Sequence, residues 1–345
     1  MASSLDSFLA TMVTDSRVPL ARAVALAREC YGFEAQAIPL TGERDENFKL
    51  CVADHGAYVL KIANAAEEQA VGDLLTAALR HVERSDPSFP CPRVVPERGG
   101  GSCVRFLDEG GVERTARVLT YLPGRLLAST ARSRAQRAAC GRIAGRLANA
   151  LRGFDHPAAH RAIIWDLRHV SQVHGLLGQL RECPYRQAAA LLLERVVPQI
   201  EARFPRLRQQ VVHNDLNPLN ILVSPTDEAC VTGVIDFGDL TYTALIADVA
   251  VTAAELLSDE CRATTSACES IREVAGAYHE SLPLQPQERA ALAPLVAARL
   301  VTNLIVQEWH RHRNPAGGHY AALDPGFVAA RLEIARGLLQ QEGPL

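Results

Sequence analysis

The sequence predicts an α+β fold in two lobes, a small N-terminal antiparallel sheet lobe over residues 1–122 and a larger, mainly helical lobe over residues 123–345. Three observations carry this expectation. Strand-like runs cluster before Leu122. The Pro123-Gly124 pair then breaks the chain, and helical periodicity dominates from Ala131 onward.

The elements follow in order. Pro19 to Tyr31 has helical character, and the chain then changes period: NFKLCVAD and GAYVLKIAN read as two strands joined by a turn at Asp54-His55-Gly56. Val71, Leu74, Leu75, Ala78 and Leu79 recur at helical spacing until the proline-rich SDPSFPCPRVVP ends the helix. SCVRFLDE and TARVLTYL, on either side of Gly110-Gly111, supply two further strands. In the second lobe Ala139, Ile143, Leu147 and Leu151 form one apolar stripe, and Arg132, Arg137, Arg142 and Arg146 read as a solvated face. Helices are expected at Tyr185–Phe204, Leu245–Ser258, Thr264–Glu280, Gln287–His312 and Pro325–Gln341. Only VVHNDLNPLNILV and ACVTGVIDFGDL interrupt them, as strand pieces flanking polar loops.

Composition narrows the function classes. The formal net charge of −3 gives no pull toward nucleic acid or an anionic membrane, so a small-molecule or protein partner is expected. Nine scattered cysteines without a C-x-x-C pair argue against a zinc site and for a reducing cytoplasm. The opening MASSLDSFLATMVTDSR lacks the basic end and apolar core of a signal peptide, and no run is read as reaching the roughly 18 apolar residues of a membrane span. Of 36 basic residues only Lys49 and Lys61 are lysines, so each one needs a reason.

The chemistry concentrates in VVHNDLNPLNILV, where His213, Asp215 and Asn220 stand as H-x-D-x-x-x-x-N. Asp236 follows in VIDFGD, after an apolar strand and before a Phe-Gly turn. Phosphoryl transfer needs one carboxylate to orient a hydroxyl and accept its proton. It also needs a second carboxylate and an amide oxygen for Mg²⁺, a hard cation that prefers oxygen ligands. Asp215 suits the first role, and Asn220 with Asp236 the second. His213 reads as a packed histidine bonding a loop carbonyl.

HNDLNPLN followed by IDFGD resembles the aminoglycoside phosphotransferase and choline kinase superfamily, most closely the hydroxylysine kinase group, which also shares features with RVLTYLPGR (Arg117–Arg125) and FDHPAAHRAIIWDL (Phe154–Leu167). The similarity runs from about Ile38 to beyond Glu308. The commoner motif has glycine where this chain has Asn214. The resemblance implies a protein-kinase-like bilobal fold and a kinase acting on a small hydroxyl compound, with Mg²⁺ and with ATP or GTP as donor. It places Lys61 at the α- and β-phosphates, Asn47 of TGERDENF (Thr41–Phe48) near the phosphates, Asp73 as partner of Lys61, and Asp248 as a brace of the catalytic loop. Glu67 and Glu68 lie at a helix start, where they suit its dipole.

The acceptor pocket is expected from Trp165, Asp166, Glu308 and Trp309, with Asp239 and Tyr242 beside the metal ligand. A carboxylate there could pair with a substrate ammonium; each tryptophan is also an ordinary core residue, and Asp239 also a helix cap. Acceptors run from hydroxylysine-like amino acids through homoserine or threonine to ethanolamine or choline, with aminoglycosides as a further class. A scaffold that has lost catalysis is the alternative of another kind, set against the presence of Lys61, Asp215, Asn220 and Asp236. Protein kinase activity ranks low, because no A-P-E segment or long activation loop follows IDFGDL.

Overall fold

The computed structural model describes residues 18–345 apart from 43, 54, 181, 259–260, 314–321, 342 and 344. The opening seventeen residues, Glu43 of the phosphate loop and Asp54 of the expected turn lie outside the described residues. The chain divides after Pro123 into two compact units, Met1–Pro123 and Gly124–Leu345.

In the first unit α1 (Leu20–Tyr31) leads into β1 (Ala35–Leu40), β2 (Glu46–Val52) and β3 (Gly56–Ile62). Then come α2 (Gln69–Ser85), β4 (Val94–Val95), β5 (Val104–Leu107) and β6 (Glu113–Thr120). The sheet runs β1-β2-β3-β6-β4, with β5 also on β6, and every pair is antiparallel. Phe48, Leu50, Leu60, Ile62, Ala116 and Val118 face a core shared with Leu26 and Ala27 of α1. Strand alternation then puts Asn47, Lys49 and Lys61 on the opposite face. The register pairs Asn47 with Lys61 and Lys61 with Arg117. Sequence reading missed β1. It is an edge strand in which only Ala37 is buried, and Pro39 is tolerated there because an edge can spare a donor.

The helix α2 buries Val71, Leu74, Leu75, Ala78, Leu79 and Val82. Gly72 leaves room for its neighbour: a Cβ there would stand 1.8 Å from Nη2 of the buried Arg117, whose guanidinium would have to shift.

The second unit holds α3 (Arg134–Ala150), α4 (Val173–Gln179), α5 (Arg186–Arg203), α6 (Leu245–Glu255), α7 (Thr264–Ser281), α8 (Pro286–Arg313) and α9 (Pro325–Leu338). α3 starts three residues later than the pattern suggests, because Ser133 and Gln136 form a capping box. It packs closely on α7 at Gly141, where a Cβ would meet the Val274 carbonyl at 2.3 Å.

Short strands complete the unit: β7 (Arg125–Leu126), β8 (Gln209–Val212), β9 (Ile221–Val223), β10 (Val231–Val234) and β11 (Thr241–Ala244). They form the antiparallel sets β10-β9-β7 and β11-β8, and these set the ends of both polar loops.

One expectation is corrected. α8 is long and apolar enough to cross a membrane by length and composition, but 83% of that window is buried inside the protein. Its apolar residues are therefore accounted for as a core helix.

Candidate active site

The loop between β8 and β9 is held by its own polar groups. His213 is fully buried; its Nδ1 accepts the Asp215 N–H at 3.3 Å and its Nε2 donates to the Ile235 carbonyl at 3.1 Å. Those two bonds define one neutral tautomer, and burial drives the imidazole down to about 4. Its ring meets Phe237 edge-on at 4.8 Å.

Asn214 adopts φ 65°, the left-handed conformation that glycine reaches without steric cost. Its N–H donates to Asp248 Oδ1 at 2.7 Å. Asp248 thus braces the loop, and burial pushes its carboxyl up to about 7. The Asn214 side chain is buried, and neither its Oδ1 nor its Nδ2 has a hydrogen-bond partner in the structure.

Asp215 is gripped at both oxygens. Oδ1 accepts from Asn217 Nδ2 at 2.9 Å and lies 3.4 Å from Arg299 Nη2, while Oδ2 accepts from Asn220 Nδ2 at 2.6 Å. Burial and the nearby Asp239 raise its carboxyl well above the usual range, against the pull of Arg299. The carbonyl of Asn220 accepts the Ile235 N–H at 2.9 Å, which draws the residue before Asp236 against Asn220. Asp236 itself has φ 56° and accepts the Gly238 N–H at 3.3 Å.

Asn220 and Asp236 together offer an amide oxygen and a carboxylate. That donor set fits a small hard cation that completes its shell with phosphate and water. Among the described residues no cluster of three His, Cys, Asp or Glu side chains makes a self-sufficient metal cage.

In the first unit, Lys61 Nζ lies 2.9 Å from Asp45 Oδ2, and Asn47 is its cross-strand neighbour. Glu67 lies within electrostatic reach of both; burial and Asp45 push it up to about 7, against Lys61 and Arg117. Asp73 points elsewhere on α2 and is exposed. The expected Lys61–Asp73 pair is therefore corrected to Lys61–Asp45. Asp73 lies on the solvent side of α2, between the buried Gly72 and Leu74.

Residues 36–295 match the model of the phosphotransferase enzyme family, APH. The chain belongs to that family. A mouse (Mus musculus) hydroxylysine kinase is 28% identical over 323 residues, covering 87% of this chain and 84% of that one. The structure is similar to an amicoumacin kinase solved with AMP-PNP, Ca²⁺ and Ami, with TM-score 0.70, 14% identity and 94% of both chains covered. It is also similar to a microcompartment-associated aminopropanol kinase, with TM-score 0.63, 18% identity, and 92% and 95% covered. The phosphotransferase thus has the protein-kinase-like fold and is a small-molecule kinase that uses a nucleotide donor and a hydroxyl acceptor.

Several acceptor-pocket candidates of this phosphotransferase are already committed. Asp166 is fully buried; it accepts from Thr243 Oγ1 at 2.7 Å, from the Arg168 N–H at 3.0 Å and from Arg168 Nη2 at 3.0 Å. It ties β11 to the 157–172 segment and has no accessible surface to offer an ammonium. Trp309 is buried with Nε1 donating to Gln179 of α4, which makes it a packing residue. Glu308 is buried against Arg311 at 2.6 Å and His312 at 3.4 Å. Tyr242 stacks on His160 at 4.6 Å, and Asp239 is buried within electrostatic reach of Asp215. Trp165 receives the Arg299 guanidinium over its ring at 4.8 Å.

Sequence reasoning overlooked Arg299, Glu255 and Asp45. A visible signal for the first was an arginine inside the apolar run LVAARLVTN of α8. Asp45 lay within the expected phosphate loop without a role.

Proposed function

We propose that this phosphotransferase transfers the γ-phosphoryl group of ATP or GTP to the hydroxyl of an amino compound, with hydroxylysine-like amino acids as the leading acceptors. The arrangement of Asp215, Asn220 and Asp236 is the observation that carries the reading. Asp215 orients the acceptor hydroxyl and takes its proton. Its two oxygens are already fixed by Asn217 and Asn220, so the carboxylate loses little freedom on meeting the acceptor. Asn220 and Asp236 hold Mg²⁺, which supplies neutralising charge at the phosphates when bound. Lys61 contacts the α- and β-phosphates, with Asp45 and Glu67 keeping it in place and Asn47 beside it.

The similarity to the mouse hydroxylysine kinase over most of both chains supports the choice of acceptor. The test is a panel of hydroxylysine, homoserine, threonine, ethanolamine, choline, 1-amino-2-propanol and an aminoglycoside, each with ATP and with GTP, and Asp215→Ala as the blank. Hydroxylysine should give the highest kcat/KM. Preferred turnover of an aminoglycoside or choline would overturn the acceptor assignment, and full activity in Asp215→Ala would overturn the base.

A further inference from the structure

We infer that Arg299 is a positioning residue for Asp215, held in place from behind by Glu255 and Asn303; this rests on Asp215 being the base proposed above. Among the contacts to the Asp215 carboxylate described above, those from Asn217 and Asn220 come from its own loop. Arg299 reaches it from α8, 84 residues further along the chain. Its guanidinium is spoken for on three sides. Nη2 faces Asp215 Oδ1 at 3.4 Å, Nε donates to Glu255 Oε1 at 2.9 Å, and the plane lies over Trp165 at 4.8 Å. Glu255, at the end of α6, is itself fixed by Asn303 Nδ2 at 2.8 Å. Asn303 stands one turn beyond Arg299 on α8, so one helix supplies both the arginine and the group that steadies its counterion.

Stability does not explain this arrangement. Arg299 is 3% exposed, and a buried arginine costs desolvation that apolar residues of the same volume would avoid. Nη1 is also buried without a hydrogen-bond partner, a further cost. What the guanidinium does provide is a rigid, planar contact to the base from a helix rather than from the loop. Such a contact limits how far the carboxylate can swing, and a displacement of about 1 Å at a reacting group can cost on the order of 10²-fold in rate.

The test uses the full-length enzyme with hydroxylysine, or with the panel compound that is phosphorylated. Arg299→Lys keeps the charge and loses the fork; kcat should fall about 10- to 100-fold while KM for the nucleotide and the melting temperature stay near wild type. Glu255→Gln should lower kcat by a smaller factor. The Arg299→Met/Glu255→Gln pair should cost no more than Arg299→Met alone, because both break one chain of contacts.

Unchanged kcat in Arg299→Lys overturns the inference, as does a rise in acceptor KM alone. It also fails if folded protein is lost while the surviving molecules keep full kcat, since that marks a purely structural residue. Should Arg299 variants not fold, Glu255→Gln and Asn303→Ala decide, and wild-type kcat in both overturns it. An active Asp215→Ala enzyme would remove the underlying reading; an inactive one beside fully active Arg299→Lys removes this inference only.

Discussion

The loop carrying Asp215 and the strand carrying Lys61 are organised by different means. Around Asp215, nearly every polar group has a short-range partner: His213 bonds the Asp215 N–H, Asn217 and Asn220 hold its carboxylate, and the buried Asp248 takes the Asn214 N–H. Lys61 instead sits on the sheet face opposite the α1 core, and its acidic partner comes from the turn before β2. The first site is a closed network in which ionisation is suppressed by burial. The second is an ion pair of opposite charges, with the Lys61 and Asp45 side chains 11% and 9% exposed. The lesson is that a contiguous polar loop supplies part of its own geometry, through Asn217 and Asn220, and takes the rest from Asp248, Ile235 and Arg299, whereas the strand lysine is paired with a carboxylate from a neighbouring turn.

The strongest challenge to this contrast lies at the loop. Asp236→Ala should abolish divalent-dependent nucleotide binding and lower kcat by on the order of 10³-fold, read by calorimetry with and without Mg²⁺. Metal-dependent binding that survives the substitution would leave the closed network without a metal role.

Next comes the acid limb of stability. His213 is held neutral in the folded state, with its value down from 6.5 to about 4. Its contribution is complete above about 6.5 and is lost as pH falls toward 4, a difference of roughly 3 kcal/mol. Denaturant unfolding between pH 7 and 4 should show a shallower loss in His213→Gln than in wild type. Parallel curves would mean that His213 can charge without disturbing the loop.

The Lys61 site can be sharpened by comparing two acids. Asp45→Asn should lower kcat/KM for the nucleotide by about tenfold through a misplaced Lys61, while Asp73→Asn should leave it within about twofold. Equal effects would return Asp73 to the site. The smallest effect is expected at Asn214→Gly, which removes two unpartnered buried polar atoms and a strained φ. The gain, about 1 kcal/mol after the added backbone entropy of glycine, would appear as a higher melting temperature. A loss of stability would mean that the amide has a bound partner, such as a buried water.

Much of the fold and part of the candidate site could be read from residue order alone. H-x-D-x-x-x-x-N and IDFGD are local spacings, and Lys61 stood out as one of two lysines. The strands and helices followed apolar periods because each buries one face. Asp73 was misread because periodicity gives the face of a helix but not which charge another segment brings to a strand. Asp166 was misread as a free carboxylate because its partner Thr243 becomes a neighbour only through packing, whereas the Glu308 partner Arg311, three residues on along α8, was a local signal that went unread. Arg299 and Glu255 lie on two helices away from the Asp215 loop, Arg299 84 residues later in the chain. Local spacing was enough for the loop's chemistry. Which distant charges steady it was decided only when burial forced each buried ion to find a partner.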